Sequence, residues 1–259
     1  MKITTHQENG LTLVELLVGI SIGLLVIGVA TGALLASRGI SGTVSDATNI
    51  QQQAAYAMRV IGQQVRQSGS LHLDVPAIPE PNSEVFLVKR KEKLVEYDAD
   101  KNETTFRFSA DDMDNSRDCL GGPAAADAND SISSKFSLVK NELKCTGTAG
   151  GGIQPIIKDV ADFKIRYLIQ TNNTNGNTRI EYKDTPSDND EIQAVEICMV
   201  LYGSEVINVP TGSTYSGCTL DADGAPIKID MTTLTGDRAN RLHLVFRNVF
   251  QLRSQGNLS

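Results

Sequence analysis

The stretch Gly10-Leu11-Thr12-Leu13-Val14-Glu15 joins a short polar segment to an apolar run that continues to Ala36. Glu15 is the single charge within that run. A carboxylate in a membrane-length segment is costly, because acidic side chains at the bilayer centre cost roughly 2.5 to 3.5 kcal/mol on insertion scales. Leu or Val would serve a simple anchor better. The charge therefore predicts a partner of opposite charge.

The apolar run is long enough to cross a membrane, since a spanning helix needs about 20 apolar residues. A secretory signal peptide fits less well, because its apolar core is shorter and ends at a small-residue cleavage site. The segment before the run is weakly basic, with Lys2 and Glu8, and Arg38 follows on the other side. Charge asymmetry therefore favours a cytoplasmic N-terminus without requiring it.

The spacing of Gly10, Leu11 and Glu15 resembles that at the N-terminus of type IV prepilins and type II secretion pseudopilins. In that family a membrane peptidase cuts after a Gly and methylates the new N-terminus, and Glu is the fifth mature residue. The resemblance implies cleavage between Gly10 and Leu11, N-methylation of Leu11 and an assembly role for the charge of Glu15. Leu11 departs from the Phe that is usual at this position. The alternative is an ordinary signal anchor with a stray Glu.

Helical spacing continues beyond the apolar run, with apolar residues in three- and four-residue steps and a stop at Ser68-Gly69. The stepped residues are Ala47, Ile50, Ala54, Ala57, Ile61 and Val65. We expect one helix from Leu11 to Gln67, roughly 85 Å long. Gly39 and Gly42 predict a kink or a melted stretch, because Gly weakens a helix by about 1 kcal/mol relative to Ala.

Two glycine pairs lie within the apolar run, Gly19 with Gly23 and Gly28 with Gly32. Small residues four apart allow membrane helices to approach closely. Glycine is also frequent in membrane helices generally. The spacing therefore leaves both interpretations open.

After Gly69 the pattern changes to alternating apolar residues separated by turn-forming clusters, which is typical of strands. The predicted strands are Val85–Val88, Lys93–Tyr97, Thr104–Phe108, Phe163–Ile169, Ile192–Tyr202 and His243–Leu252. Residues 111–152, rich in Ala, Gly, Asp and Ser, are expected to form a long excursion. The predicted fold class is α+β, with a long helix packed through its apolar stripe on an antiparallel β-sheet head.

Together with the prepilin resemblance, this pattern implies four parts of the chain. They are a leader at 1–10, a transmembrane or filament-core helix at 11–36, an amphipathic half of the helix at 37–69 and a periplasmic β-rich head at 70–259. The head is large enough for one domain with its own core.

Four cysteines, Cys119, Cys145, Cys198 and Cys218, follow the apolar run and allow three pairings. The sequence-local pairing closes loops of roughly 20 to 26 residues, each worth about 3 kcal/mol by loop entropy. The spacing does not suit zinc, and disulfides would place the head in an oxidising compartment. Free buried cysteines are the alternative.

Composition and motifs argue against catalysis and nucleic-acid binding. The net charge is −7 without basic clusters. His6, His72 and His243 are far apart, and no hydrolase, metalloprotease or P-loop motif occurs. Asp98-x-Asp100-x-Asn102 and Asp221-x-Asp223-Gly224 match a calcium loop only in part. We expect no enzyme activity, no cofactor and no metal.

Segments in the second half of the helix and in the head resemble one group within this family, the PilW type of minor pilin. The matching segments are Ala57-Met58-Arg59, Val65 to Gly69, Cys119-Leu120-Gly121, Leu143-Lys144-Cys145, Val160 to Tyr167 and Asp237 to Asn248. The resemblance implies an inner-membrane subunit that is processed by the prepilin peptidase. It also implies assembly with other minor pilins and the major pilin, at or near the tip of an extracellular pilus, with a tip adhesin as a further partner.

Two other functions share features of this sequence. A minor, J-like pseudopilin of a type II secretion system would have the same anchor and head architecture. A membrane-anchored binding protein that never polymerises would retain its leader and would not depend on Glu15.

Overall fold

The computed structural model describes residues 12–68, 94–109, 117–122, 131–148, 152–172, 178–187 and 190–252. The chain forms two compact units, Met1–Ser45 and Asp46–Ser259. The predicted leader, the Gly10-Leu11 junction and the predicted strand Val85–Val88 lie outside the described residues.

A single helix, α1, spans Leu13–Gln67. Its backbone is helical through Gly39 and Gly42, so the melted stretch expected there is wrong. The first part of the helix is apolar on all sides and exposed in the isolated chain. The part in the second unit is amphipathic, as the stepped apolar residues predicted.

The strands of the head are all paired in antiparallel fashion. In chain order they are β1 Val95–Asp98, β2 Glu103–Ser109, β3 Ser131–Val139, β4 Glu142–Gly147, β5 Ile153–Ile157, β6 Val160–Asn172, β7 Thr178–Lys183, β8 Glu191–Val206, β9 Thr214–Leu220, β10 Pro226–Asp230 and β11 Arg241–Gln251. One sheet has the order β1-β2-β3-β4-β5 and a second has the order β11-β8-β6-β7. Strands β9 and β10 form a separate ribbon, followed by 3₁₀ turns at Met231–Thr233 and Gly236–Arg238.

The apolar stripe of α1 is part of the core of the head. Ile50, Ala54, Ala57, Ile61 and Val65 are all buried. They belong to one cluster with residues from both large sheets, including Phe106, Phe136, Tyr167, Ile197 and Phe250. Gly62 is required for this packing, since a Cβ there would overlap the Phe250 ring. Burial of this stripe joins the helix to the sheets, and the α+β prediction is confirmed.

The expected excursion over residues 111–152 is wrong in part, because β3 and β4 lie within it. Five of the nine residues of β3 are Ser or Lys, which disguises it as a loop. Ile132 and Phe136 are nevertheless fully buried on one face of the strand. The predicted strands within the described residues correspond to β1, β2, β6, β8 and β11, whereas β5, β7, β9 and β10 were not predicted.

Candidate functional site

Helix α1 begins with a side-chain cap that fixes the position of Glu15. The Glu15 backbone N–H donates to the Thr12 hydroxyl, with an N···Oγ1 distance of 3.2 Å. Thr at the cap and Glu three residues later is the spacing of a capping box. This spacing sets the carboxylate beside the positive end of the helix dipole, which favours a negative charge. Glu15 itself is exposed in the isolated chain.

The apolar part of α1 offers Glu15 no counter-charge. The span Leu13–Leu35 is long and apolar enough to cross a membrane, with a mean hydropathy of 2.5, and Glu15 is its only charged residue. The Ser21 hydroxyl donates to the Leu17 carbonyl at 2.8 Å, and the Thr31 hydroxyl donates to carbonyls one turn earlier. These hydroxyls are thus satisfied within the helix, whereas the Glu15 charge has no partner of opposite sign along this span.

Four glycines leave open space on the surface of this part of the helix. A Cβ added at any of Gly19, Gly23, Gly28 or Gly32 would meet nothing within 4 Å. Within each pair the glycines are four residues apart and therefore lie on one face. None of the residues that the structure describes covers these positions, so neighbouring helices could approach there closely.

In the second unit, Asp46 attaches the helix to the end of β8. Its side chain is 4% exposed. It accepts hydrogen bonds from the Ser204 amide at 3.0 Å, the Ser204 hydroxyl at 2.8 Å and the Glu205 amide at 2.9 Å. A Cβ at position 203 would overlap the carboxylate, so Gly203 is needed for this approach. We call Asp46, Gly203, Ser204, Glu205 and Arg241 the helix clasp.

Arg241 completes the helix clasp from β11. Its guanidinium donates to the Gly203 carbonyl at 3.2 Å and also to the Ser204 carbonyl. Burial alone would raise the pKa of the Asp46 carboxyl, but the hydrogen bonds from Glu205 and Ser204 and the charge of Arg241 outweigh it. The pKa of Asp46 therefore lies below its ordinary value, and the residue is charged at neutral pH.

A second buried polar residue of α1, Gln64, binds the head near the first disulfide. Its side-chain oxygen accepts from the Ser134 hydroxyl at 2.7 Å, and its amide donates to the Arg117 carbonyl at 3.3 Å. The Ser134 hydroxyl also accepts from the Cys119 amide at 3.0 Å. Cys119 is bonded to Cys145, with a Cα–Cα distance of 6.4 Å. The helix and the disulfide-bonded segment thus share one polar network.

The second disulfide joins the ribbon to the four-stranded sheet. Cys198 of β8 is bonded to Cys218 of β9, with a Cα–Cα distance of 5.6 Å. Arg247 of β11 binds the same region, donating to the Gly217 carbonyl at 2.6 Å and to the Glu196 carboxylate at 3.1 Å. The two disulfides make the sequence-local pairing among the three that four cysteines allow.

In the two acidic turns, the carboxylates accept hydrogen bonds from backbone amides of the same turn. The Asp98 carboxylate accepts from the Asp100 and Lys101 amides and pairs with the Lys101 ammonium at 2.9 Å. Asp221 accepts from two amides of its own loop. Over the residues that the structure describes, no group of three or more His, Cys, Asp or Glu is arranged to hold a metal ion.

Sequence reasoning missed both buried polar contacts of the helix. Asp46 lies four residues before Ile50, and Gln64 lies three residues after Ile61, so both occupy the same face as the apolar stripe. Polar residues in register with a buried stripe were the available signal, because a buried polar group requires a partner.

A model of the prokaryotic N-terminal methylation motif matches residues 5–31. No curated protein matches the chain. Among solved structures, the chain is similar to a type IV-like pilin from Thermus thermophilus, with a TM-score of 0.41 and 10% identity over 78% of this chain and 96% of that one. The chain thus carries a type IV prepilin-like methylation motif. An apolar helix and a β-sheet head follow in that order.

Proposed function

We propose that this protein is a minor pilin of a type IV pilus, cleaved between Gly10 and Leu11 and methylated on Leu11. The observation that carries the proposal is the methylation motif over residues 5–31, together with Glu15 as the only charge of the apolar span. Before assembly, residues 11–36 anchor the protein in the inner membrane. Residues 37–69 continue the helix, and residues 70–259 form the periplasmic head.

Assembly is driven by pairing of the Glu15 carboxylate. When helices leave the lipid and pack side by side, the N-terminal ammonium at Leu11 of an adjacent subunit neutralises Glu15. An unpaired buried charge costs several kcal/mol, and pairing recovers much of this cost. The glycines at 19, 23, 28 and 32 would let the helices approach closely enough, since nothing lies within 4 Å of an added Cβ there. The pair therefore sets the register of the incoming subunit.

The expected partners are the prepilin peptidase, other minor pilins and the major pilin. The PilW-type segments of the head favour a position at or near the pilus tip, with an adhesin as a further partner. Two disulfides in the head suit the oxidising periplasm and the extracellular filament. In this proposal the protein primes assembly and stays at the tip.

The test compares Glu15→Ala with Ser21→Ala, a control that removes a polar group satisfied within the same helix. We expect both variants to be inserted and to give a mature chain that begins at methylated Leu11 in mass analysis. Only Glu15→Ala should lose piliation and co-purification with other pilins. Normal piliation in Glu15→Ala would refute the proposed mechanism. Blocked protein secretion with intact pili would assign the protein to a type II secretion system instead.

A further inference from the structure

A buried histidine lies beside the helix clasp. His243 of β11 is 5% exposed. Its ring stacks on Tyr215 of β9 with centroids 4.6 Å apart and planes at 11°, and the Tyr202 ring of β8 lies 5.9 Å away. Nδ1 lies 2.9 Å from the Arg241 carbonyl oxygen. Nε2 is buried and has no hydrogen-bond partner among the residues that the structure describes.

This arrangement defines the protonation state of the ring. A carbonyl oxygen can only accept, so Nδ1 carries the proton of the neutral ring and donates it to Arg241. Nε2 is then a bare acceptor that faces the interior of the protein. A second proton on Nε2 would create a buried cation without an acceptor for its N–H, which is strongly unfavourable.

The ring is connected to the helix through Arg241. The Arg241 carbonyl accepts from His243, while its guanidinium holds the carbonyls of Gly203 and Ser204. Ser204 in turn donates both its amide and its hydroxyl to Asp46. Tyr202, which packs beside the ring, directly precedes this segment. A continuous chain of hydrogen bonds thus runs from His243 through Arg241 and Ser204 to Asp46.

The charged groups around the ring come from every element that packs against it. Asp159 and Asp237 act on Tyr202, Asp162 acts on Tyr215, and the cations are Arg238 and Arg241. On α1, the charge of the helix clasp is Asp46, which is linked to the ring through Ser204 and Arg241. The Asp162 carboxylate is engaged by the Cys218 amide at 3.1 Å.

Burial and the charge of Arg238 lower the pKa of His243, and the hydrogen bond to the Arg241 carbonyl opposes them only in part. The neutral ring is therefore the stable form in the closed structure.

We propose that His243 makes the helix clasp acid-labile, so that protonation of Nε2 opens this corner of the head and releases Asp46 from Ser204 and Glu205. Acid favours the open state because the ring accepts a proton more readily once it is exposed. Opening of the helix clasp becomes more favourable as pH falls through about 6.5, the ordinary pKa of histidine. It stops increasing once the pH is below the pKa of His243 in the closed structure. The opening equilibrium rises about tenfold for each unit between these two values.

The proposed opening of the helix clasp in acid depends on protonation of His243 and not of Asp46. The pKa of Asp46 lies below its ordinary value, so its carboxylate stays charged throughout the interval from pH 7.5 to 5.5. A change in the helix clasp over that interval requires another titrating group, and His243 is bonded to the clasp through the Arg241 carbonyl.

The test is hydrogen exchange of the full chain in neutral detergent micelles at pH 7.5 and 5.5, corrected for intrinsic rates. We expect peptides over residues 46–53 and 203–207 to open about tenfold more readily at pH 5.5, while peptides over residues 54–65 do not change. His243→Phe keeps a ring against Tyr215 but cannot be charged, and it should abolish the difference. No pH dependence in the wild-type chain, or an unchanged dependence in His243→Phe, would overturn the proposal.

A measurement on the wild-type chain covers the case in which His243→Phe does not fold. The His243 ring resonance is titrated by NMR together with the backbone amides of Ser204 and Glu205. We expect one shared midpoint, below pH 6.5. A His243 midpoint at or above 6.5, or amides that move with a different midpoint, would overturn the proposal.

Discussion

The acidic residues in the two parts of helix α1 differ in burial and in hydrogen bonding. Glu15, in the apolar part, is exposed and has no opposite charge along Leu13–Leu35. Asp46, in the second unit, is buried and accepts three hydrogen bonds from Ser204 and Glu205. A buried charge that is hydrogen-bonded within its own chain, such as Asp46, contributes to folding. A charge in an apolar segment without such a partner, such as Glu15, indicates a partner in another molecule. The comparison separates residues for assembly from residues for folding.

The largest expected effect separates assembly from stability. Glu15→Ala should reduce incorporation into filaments by more than about tenfold, because loss of the pair forfeits several kcal/mol. Its urea midpoint should match the wild type, because Glu15 is exposed and belongs to the first compact unit, not to the head. Filament incorporation and urea denaturation in micelles are measured on the same preparation. A lowered midpoint with normal incorporation would reverse the roles that we assign to Glu15 and Asp46.

The next effect compares two apolar residues of the same helix. Ile61→Ala should destabilise the head by about 2 to 5 kcal/mol, because Ile61 is 0% exposed and its loss leaves a cavity. Leu24→Ala is the matched control, since Leu24 is 65% exposed in the isolated chain. Its urea midpoint in micelles should not change. Equal losses for the two variants would contradict the division of the helix.

A smaller effect is expected at the helix clasp. Asp46→Asn should lower the free energy of unfolding by about 1 to 3 kcal/mol, because it weakens three hydrogen bonds to a buried carboxylate. Glu15→Gln is the matched amide variant and should leave stability unchanged. Urea denaturation at pH 7.5 measures both. If Asp46→Asn is as stable as the wild type, the contact does not attach the helix.

The smallest effect is the pH dependence of stability. The pKa of His243 is lowered in the folded state, so the unfolded chain binds more protons in the acidic range and stability falls as pH decreases through about 6.5. The loss is about 1.4 kcal/mol for each unit of pKa difference. Urea midpoints between pH 7.5 and 5.5 should decline in the wild type and decline less in His243→Phe. A steeper decline in the variant would assign the dependence to another group.

Local patterns in the sequence predicted the buried stripe of the helix and the longest strands, but not several of the shorter strands of the head. The steps from Ile50 to Val65 predicted the buried stripe, because helical periodicity depends only on neighbouring residues. The strands at Phe163–Ile169 and Ile192–Tyr202 were visible as apolar runs and lie within β6 and β8. Strand β3 was missed because its serines resemble a loop, although Ile132 and Phe136 alternate with polar residues in a way that fits a half-buried strand.

Contacts between distant segments could not be predicted in the same way. Asp46 and Ser204 are separated by 158 residues, and their contact depends on where the helix stripe meets the end of β8. That register follows from packing of the whole core, which periodicity does not determine. The disulfide pairing was open for the same reason, since spacing alone left three possibilities. The processing residues Gly10 and Leu11 remain predictions, because they lie outside the described residues.

The placement of the two disulfides has a mechanical consequence. Cys119–Cys145 and Cys198–Cys218 each join segments of the head, and neither includes a residue of α1. Apart from the backbone that continues beyond Gln67, the described contacts that carry tension from the helix to the head are non-covalent, namely the buried stripe and the side chains of Asp46 and Gln64. The two disulfides resist separation of the segments that they join. Under load, the contacts between α1 and the sheets should therefore break first.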